Sequence, residues 1–147
     1  SREQALSHAE DAGAIIGYCD DELLAAANAL TWVQIFSSGA ERCLDAPRIR
    51  SGDVVLTNMQ KMSSPTIGEH AVAMMLALTR NLPRFADAMD ERRWARGPGY
   101  TDGMTTVTGK TLLVLGLGGI GTEVARRANA LGMRVIATRN SSRQGPD

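Results

Sequence analysis

Residues 111–121 read Thr-Leu-Leu-Val-Leu-Gly-Leu-Gly-Gly-Ile-Gly, and they indicate the fold better than any other stretch of this chain. An apolar run typical of a buried strand leads directly into a G-x-G-x-x-G turn. An amphipathic run follows as far as Gly132, and a second apolar run covers residues 134–138. This order predicts a strand, a helix and a parallel strand closed within about thirty residues, which is the βαβ unit of a dinucleotide-binding fold.

The three motif glycines have distinct expected roles in that unit. Gly116 permits the tight turn off the strand, Gly118 lets the backbone approach a pyrophosphate, and Gly121 lets the helix pack closely on the sheet. The start of the helix then offers free N–H groups and a partial positive charge to phosphate oxygens. We therefore predict cofactor contacts from the whole turn: Gly116, Leu117, Gly118, Gly119, Ile120 and Gly121.

The end of the second strand predicts which dinucleotide binds. In NAD-binding units an acidic residue about twenty positions beyond the motif accepts hydrogen bonds from the ribose 2′-hydroxyl. Here Arg139 follows the strand, and no acid lies between Glu123 and Asp147. A guanidinium can grip a 2′-phosphate that a carboxylate would repel, so the sequence favours NADP(H) over NAD(H). The predicted 2′-phosphate ligands are Arg139, Asn140, Ser141 and Arg143, and the alternative is that both arginines are solvated loop charges.

Composition narrows the class of protein. The 147 residues are 44% hydrophobic, and 16 basic side chains balance 16 acidic ones, so nothing suggests a nucleic acid or an anionic membrane as partner. The longest apolar run, Ala71–Leu78, is too short to span a bilayer. Cys19 and Cys43 lack metal-ligand spacing and are predicted to be reduced thiols of a cytoplasmic protein. Asp20-Asp21 predicts a helix cap and no metal site.

The first part of the chain also alternates strands with helices. Strands are predicted near residues 14–17, 32–36 and 54–56, with a helix from Asp20-Asp21 to about Ala29. This alternation predicts a parallel sheet flanked by helices, and hence an α/β fold. Trp32 is expected in the core of this part.

A long helix is predicted over residues 66–92, with Pro83 interrupting or kinking it. Apolar residues nearly encircle it around Ala71–Leu78, which predicts burial between two bodies, a packed or interface His70, and homodimer formation through this helix. The domain prediction is residues 1–65 for a partial substrate domain, 66–103 for an interdomain helix and linker, and 104–147 for the nucleotide unit. Because only one βαβ unit is present, we expect the chain to be the middle of a longer protein.

These motifs together resemble the D-2-hydroxyacid dehydrogenase family, in its glyoxylate and hydroxypyruvate reductase-like branch. The resemblance is carried by three stretches: residues 32–41, residues 55–80, and the glycine turn with its helix. It implies part of a flavodoxin-like substrate domain, joined by a long interdomain helix to the first βαβ unit of a Rossmann domain.

The resemblance also implies an activity. Family members transfer hydride between the nicotinamide and a small 2-oxo or 2-hydroxy acid, using a histidine, a glutamate and an arginine that lie beyond the glycine motif. We assign no catalytic residue to this chain and expect no turnover by it alone. By resemblance, the backbone of Ser38 and Gly39 binds the substrate carboxylate, and Met62 and Ser64 approach the nicotinamide half.

Two further classes of protein fit the same sequence. One is a nucleotide-sensing binding protein, like the transcriptional corepressors built on this fold, since fold alone does not separate sensing from catalysis. The other is a non-catalytic chain that dimerises through the long helix.

Arg126 and Arg127 are expected to be solvated on the exposed face of the predicted nucleotide-binding helix.

Overall fold

The computed structural model describes residues 2–140, and every strand pair within that range is parallel. Three strands form one sheet and two form another, which confirms the predicted α/β class with parallel strands. The chain divides into two compact units, which we call unit 1 (residues 1–62) and unit 2 (residues 63–147). The assignment of residues 1–65, 66–103 and 104–147 to family domains stays a prediction.

Unit 1 is built around a three-stranded sheet. Its elements, in chain order, are α1 (Arg2–Ser7), β1 (Ala14–Ile16), α2 (Asp21–Ala26), β2 (Trp32–Gln34), α3 (Glu41–Leu44), α4 (Pro47–Arg50) and β3 (Val55–Thr57). The strand order is β1-β2-β3, with Ile15 opposite Val33 and Val33 opposite Leu56. All three strands therefore end at one edge of the sheet, and the loops that follow them meet there.

Local chemistry sets the first helix–strand unit. The Asp20 side chain accepts a hydrogen bond of 3.1 Å from the Leu23 N–H, which confirms the predicted cap at the start of α2. This bond, with help from Arg2, lowers the pKa of the Asp20 carboxyl. Leu23 and Leu24 then enter a core with Val33, whose side chain is fully buried. Burial of these apolar side chains holds α2 against the sheet.

Trp32 does not belong to that core. It points to the exposed side of β2, where its indole N–H donates a 2.7 Å hydrogen bond to the Thr57 hydroxyl. The prediction of a buried Trp32 was therefore wrong. Successive strand residues face opposite sides of a sheet, and Val33 takes the buried side here.

Unit 2 contains the predicted strand–helix–strand. Its elements are α5 (Ser64–Thr79), α6 (Leu82–Asp90), β4 (Thr111–Leu115), α7 (Gly119–Ala130) and β5 (Arg134–Thr138). β4 and β5 pair in parallel along their full lengths, with Leu115 opposite Thr138 at the carboxyl end. Buried Val107, Ala128 and Met133 form the core, against which side chains of α5 pack.

The predicted helix over residues 66–92 is two helices. The break falls at Arg80 and Asn81, before Pro83, because Asn81 adopts a left-handed conformation with φ of 54°. The Asn81 amide donates hydrogen bonds to the Tyr100 and Asp102 carbonyls at 3.0 and 2.9 Å. Pro83 then lies in the first turn of α6, where a missing N–H costs no helical hydrogen bond.

Within the described part of this chain, α5 is buried along one face, and its burial between two bodies stays a prediction. One face of α5 packs on α7 through Gly68 and Val72, which are buried. Met74 and Leu78 are 51% and 71% exposed, and His70 is exposed as well. The apolar residues around α5 therefore include a set that this chain leaves in contact with solvent. Within the described residues, every helix falls short of the length and apolar character that a bilayer span requires.

Candidate functional site

The glycine turn between β4 and α7 has the backbone that its sequence predicts. Gly116 has φ of +98°, a conformation that favours glycine, and it turns the chain off the end of β4. A Cβ at Gly121 would lie 2.2 Å from the Gly116 carbonyl oxygen and 3.1 Å from a Val114 methyl group. A Cβ at Gly118 would meet no described heavy atom within 4 Å. The first and third glycines therefore shape the turn, whereas the second keeps its outer side open.

The N–H groups of the turn are available to a ligand. Gly118 caps α7, and the Thr122 N–H and hydroxyl both donate to its carbonyl oxygen, at 2.9 and 2.7 Å. Within residues 2–140, the N–H groups of residues 118–121 have no protein acceptor. Unpaired N–H groups at the positive end of a helix dipole form a binding site for an anion such as phosphate. The open space beside Gly118 gives a pyrophosphate room to approach them, so these residues fit a dinucleotide.

Thr138 fixes the turn to the neighbouring strand. Its hydroxyl accepts a 3.1 Å hydrogen bond from the Gly116 N–H, and its carbonyl accepts one of 2.8 Å from the Leu117 N–H. Sequence reasoning missed this residue, because it considered only the position after it. The signal was available in the parallel register, which places the last residue of β5 beside the last residue of β4.

The predicted 2′-phosphate ligands begin immediately after this anchor. Arg139 and Asn140 directly follow β5 and are exposed, at the same sheet edge as the glycine turn. Ser141 and Arg143 lie outside the described residues. Leu117 and Ile120, the apolar members of the turn, are half-buried and exposed respectively. Leu117 also lines a cavity of about 540 Å³ together with side chains of α7 and β5.

Arg127 is not the solvated charge that the sequence predicted. Its guanidinium donates to both carboxylates that face it, at 2.9 Å to Glu69 Oε1 on α5 and in an ion pair with Glu123 on α7. The Arg127 guanidinium, with Arg126 beside it, lowers the pKa of the Glu123 carboxyl. These ion pairs join α5 to α7. Among the described residues, the one ion-pair partner of Arg126 is Glu123, on the same helix.

The second candidate region is the loop between β2 and α3 in unit 1, which contains Ser38 and Gly39. The Asn58 side-chain amide donates a 2.7 Å hydrogen bond to the Ser38 carbonyl, and the Ser37 hydroxyl donates one of 2.6 Å to the Gly39 carbonyl. With the carbonyls held, the Ser38 and Gly39 N–H groups have no acceptor in the described part of the chain. Such paired donors suit a carboxylate. Sequence reasoning did not foresee that Asn58 fixes this loop.

A cavity of about 410 Å³ adjoins this loop within unit 1. Its walls come from the segments that follow β1 and β2, and from α3: Gly17, Tyr18, Cys19, Ile35, Phe36, Ser37, Gly39, Glu41, Arg42 and Cys43. A cavity at the carboxyl ends of parallel strands is where α/β sheets bind their ligands. The two residues that the resemblance places near the nicotinamide differ in exposure, with Met62 67% exposed and Ser64 only 7%.

Comparison with known proteins identifies the family. Residues 72–146 match the family profile described as D-isomer specific 2-hydroxyacid dehydrogenase, NAD binding domain. The chain is 37% identical over 94 residues to D-3-phosphoglycerate dehydrogenase of Synechocystis, covering 64% of this chain and 16% of that protein. It is 34% identical over 94 residues to hydroxypyruvate reductase of Thermotoga maritima, covering 64% of this chain and 30% of that protein.

A solved structure extends the similarity over nearly the whole chain. The D-isomer specific 2-hydroxyacid dehydrogenase family protein of Aeromonas salmonicida matches 99% of this chain and 45% of its own, with a TM-score of 0.81 and 30% identity. The chain thus spans less than half the length of each of these three relatives. The profile match covers the second half of α5, β4, α7, β5 and the glycine turn with its free N–H groups. This chain belongs to the D-isomer specific 2-hydroxyacid dehydrogenase family.

Proposed function

We propose that this chain supplies the dinucleotide-phosphate site and the substrate-carboxylate loop of an oxidoreductase that prefers NADP(H) and acts on a small 2-oxo acid. The observation that carries the proposal is the row of N–H groups from Gly118 to Gly121, which meet no acceptor among residues 2–140, beside an open Gly118 and at the same sheet edge as Arg139. The bound nicotinamide would supply or accept the hydride. Glyoxylate and hydroxypyruvate are the proposed substrates, supported by the identity with hydroxypyruvate reductase.

Each residue of the cofactor site would do a definable part of the binding. The N–H groups of residues 118–121 would hold the pyrophosphate, with the α7 dipole adding a partial positive charge. Thr138 would keep the turn in the conformation that presents them. Arg139, Asn140, Ser141 and Arg143 would surround the 2′-phosphate, with the arginines giving charge-assisted hydrogen bonds that NAD(H) cannot accept.

Calorimetric titration with NADPH and, separately, NADH tests the cofactor assignment. We expect NADPH to bind more tightly, and Arg139→Asp to weaken NADPH binding about tenfold to a hundredfold without weakening NADH binding, since a hydrogen bond to a charged group contributes about 1.5–3 kcal/mol. Arg134→Asp is the matched control, because it places the same charge change at the opposite end of β5. Equal binding of both nucleotides, unaffected by Arg139→Asp, would contradict the NADP(H) preference.

The carboxylate loop is tested by following backbone N–H resonances. On titration with glyoxylate or hydroxypyruvate, we expect the Ser38 and Gly39 N–H signals to shift more than those of the α4 helix. Gly39→Pro removes one donor and should weaken the response. Shifts spread evenly over unit 1, or absent from this loop at saturating ligand, would contradict the assignment.

We also propose that the chain forms a homodimer through residues 66–92. The support is the exposed apolar side chains that α5 and α6 present, namely Ile67, Met74, Leu78, Leu82 and Met89. Exposed apolar clusters of this kind mark association surfaces. Sedimentation velocity should give a dimer that Met74→Glu or Leu78→Glu converts to monomer, whereas Leu44→Glu, on an exposed residue of unit 1, should not. A monomeric wild-type chain would contradict the proposal.

A further inference from the structure

The two cysteines of this chain, 24 residues apart in sequence, meet at one cavity. Cys19 lies between β1 and α2, and Cys43 lies on α3; both line the 410 Å³ cavity beside Gly39. Cys43 belongs to a packed apolar cluster, and the half-buried Cys19 packs against the same cluster. Two thiols at one cavity have a chemistry that the dehydrogenase reaction does not use.

The two sulfur atoms differ in how far a reagent can reach them. Cys19 is half-buried, whereas Cys43 is 2% exposed. A reagent in the cavity would therefore reach Cys19 first. Cys43 would then be the second thiol, which attacks the mixed disulfide formed on Cys19. Burial and the Cys43 contact raise the pKa of Cys19 to about 12, with Asp20 and Asp21 adding a smaller effect of the same sign. The first step is therefore slow at neutral pH, since only the thiolate attacks.

We propose that Cys19 and Cys43 are a reversible oxidation site, which reacts with a small-molecule disulfide to form an intramolecular Cys19–Cys43 disulfide. The Cys19 thiolate attacks one sulfur of the reagent RSSR, so that a mixed disulfide forms and RSH leaves after taking up a proton. The Cys43 thiolate then attacks the Cys19 sulfur and expels the second RSH. The two protein thiols lose two electrons and two protons, and one RSSR becomes two RSH.

The product would have a defined structural effect. It would join the segment after β1 to α3 across the cavity that adjoins the Ser38–Gly39 loop. The cavity wall would then be covalently fixed beside the proposed carboxylate site. The oxidation does not depend on carboxylate binding by the Ser38–Gly39 loop. It needs only the two thiols and access for the reagent through the cavity.

The test uses hydroxyethyl disulfide, a neutral reagent, because Asp20 and Asp21 near Cys19 would repel an anionic one. The 147-residue chain is incubated with it, quenched in acid, alkylated and mapped by mass spectrometry. We expect an intramolecular Cys19–Cys43 disulfide, seen as a loss of about 2 Da and reversed by dithiothreitol. Stable adducts on both cysteines, disulfides between chains, or two thiols that stay reduced would each overturn the proposal.

Two variants separate the roles of the sulfurs. Cys43→Ala should retain the mixed disulfide on Cys19, since no second thiol expels it. Cys19→Ala should leave Cys43 at least about tenfold slower to react than Cys19 is in Cys43→Ala, because Cys43 is buried. Circular dichroism checks that each variant folds. If Cys43→Ala does not fold, the peptide map of the wild-type chain still shows whether the Cys19–Cys43 disulfide forms. Equal reactivity of the two single thiols would contradict the assigned order.

Discussion

Gly116, Gly118 and Gly121 belong to one motif but differ in structure: Gly116 has a positive φ, Gly118 is extended, and a Cβ at Gly121 would meet a backbone oxygen. The sequence predicted their roles correctly for the turn and for the close packing, because a G-x-G-x-x-G after an apolar strand constrains the backbone strongly. It did not predict Thr138 or Asn58, which hold the two candidate loops by hydrogen bonds. Such bonds depend on which strand ends lie side by side, and a local pattern does not contain that information.

Gly121→Ala should destabilise unit 2 more than Gly118→Ala does. The added methyl at residue 121 would lie 2.2 Å from a backbone oxygen, so the turn or the helix must shift. We expect the free energy of unfolding to fall by about 1–3 kcal/mol, as for other overpacked sites. Urea denaturation measures this.

Gly118→Ala is the matched comparison, because its methyl would meet no described heavy atom within 4 Å, so that its cost is limited to the weaker preference of alanine for a helix cap, about 0.5–1 kcal/mol. We expect it to lose less stability than Gly121→Ala but to weaken NADPH binding, since the methyl occupies the proposed pyrophosphate position. A Gly118→Ala variant that lost as much stability as Gly121→Ala, with unchanged nucleotide binding, would contradict this interpretation of the turn.

At the scale of elements, the strand–helix–strand was predicted with its order and parallel pairing, but the packing of α5 was not. Hydrophobic spacing identified α5 as a helix, yet it could not tell which apolar residues would meet α7 and which would stay exposed. The helix was predicted to be interrupted at Pro83, but it breaks two residues earlier, at Asn81. The left-handed Asn81 is supported by carbonyls of residues 100 and 102, which are distant in sequence.

Gly68→Ala tests the close approach of α5 and α7. A Cβ at residue 68 would lie 2.7 Å from the Glu123 Cβ and 3.3 Å from the Glu123 backbone carbon, so the helices would have to separate. We expect a loss of about 1–3 kcal/mol in the free energy of unfolding, despite the higher helix propensity of alanine. Thr66→Ala, at an exposed position of the same helix, should not destabilise the chain. Equal stability of the two variants would contradict the observed packing.

The Glu123–Arg127 pair should make unit 2 sensitive to acid. The folded-state pKa of the Glu123 carboxyl lies below the ordinary value of 4.5, so the ionised carboxylate stabilises the fold above about pH 4.5. That contribution is lost as the pH falls through the lower folded-state pKa. We expect Glu123→Gln to be less stable than wild type near neutral pH, with a difference that shrinks as the pH falls below about 4.

Urea denaturation over that pH range measures the difference, and Arg127→Gln provides the control. Because Arg127 is the main cause of the lowered pKa of Glu123, replacing it should reduce the pH dependence that Glu123 contributes. A wild-type advantage over Glu123→Gln that stayed constant or grew in acid would contradict the ion-pair assignment.

At the scale of the whole molecule, the chain contains two units that each bury their own side chains around a parallel sheet. The sequence predicted two such regions, because alternating strands and helices occur on both sides of a long helical segment. Family membership rests on the profile match and was also predicted from the motifs. The substrate could not be predicted to the same depth, since the relatives include enzymes named for phosphoglycerate and for hydroxypyruvate.

Leu30→Ala should be among the more damaging apolar truncations in unit 1. Leu30 is 2% exposed and belongs to the core cluster, so its loss leaves a cavity that the fold cannot easily close. We expect the free energy of unfolding to fall by about 2–5 kcal/mol. Leu44→Ala removes the same atoms from a residue that is 53% exposed, and it should cost much less. Similar losses for both, measured by denaturation, would contradict the placement of the core.

The position of Thr138 has a consequence for redesigning cofactor preference. It holds the glycine turn through a hydroxyl and a backbone carbonyl, while the residues proposed to select the nucleotide start one position later. Thr138, which holds the backbone of the turn, and the residues proposed to select the nucleotide are thus adjacent in sequence but separate in role. Residues from 139 onward can be exchanged as a replaceable segment, provided that position 138 keeps a hydroxyl. Serine would preserve both anchoring bonds, whereas valine at 138, nearly the same shape, would keep only the bond to Leu117.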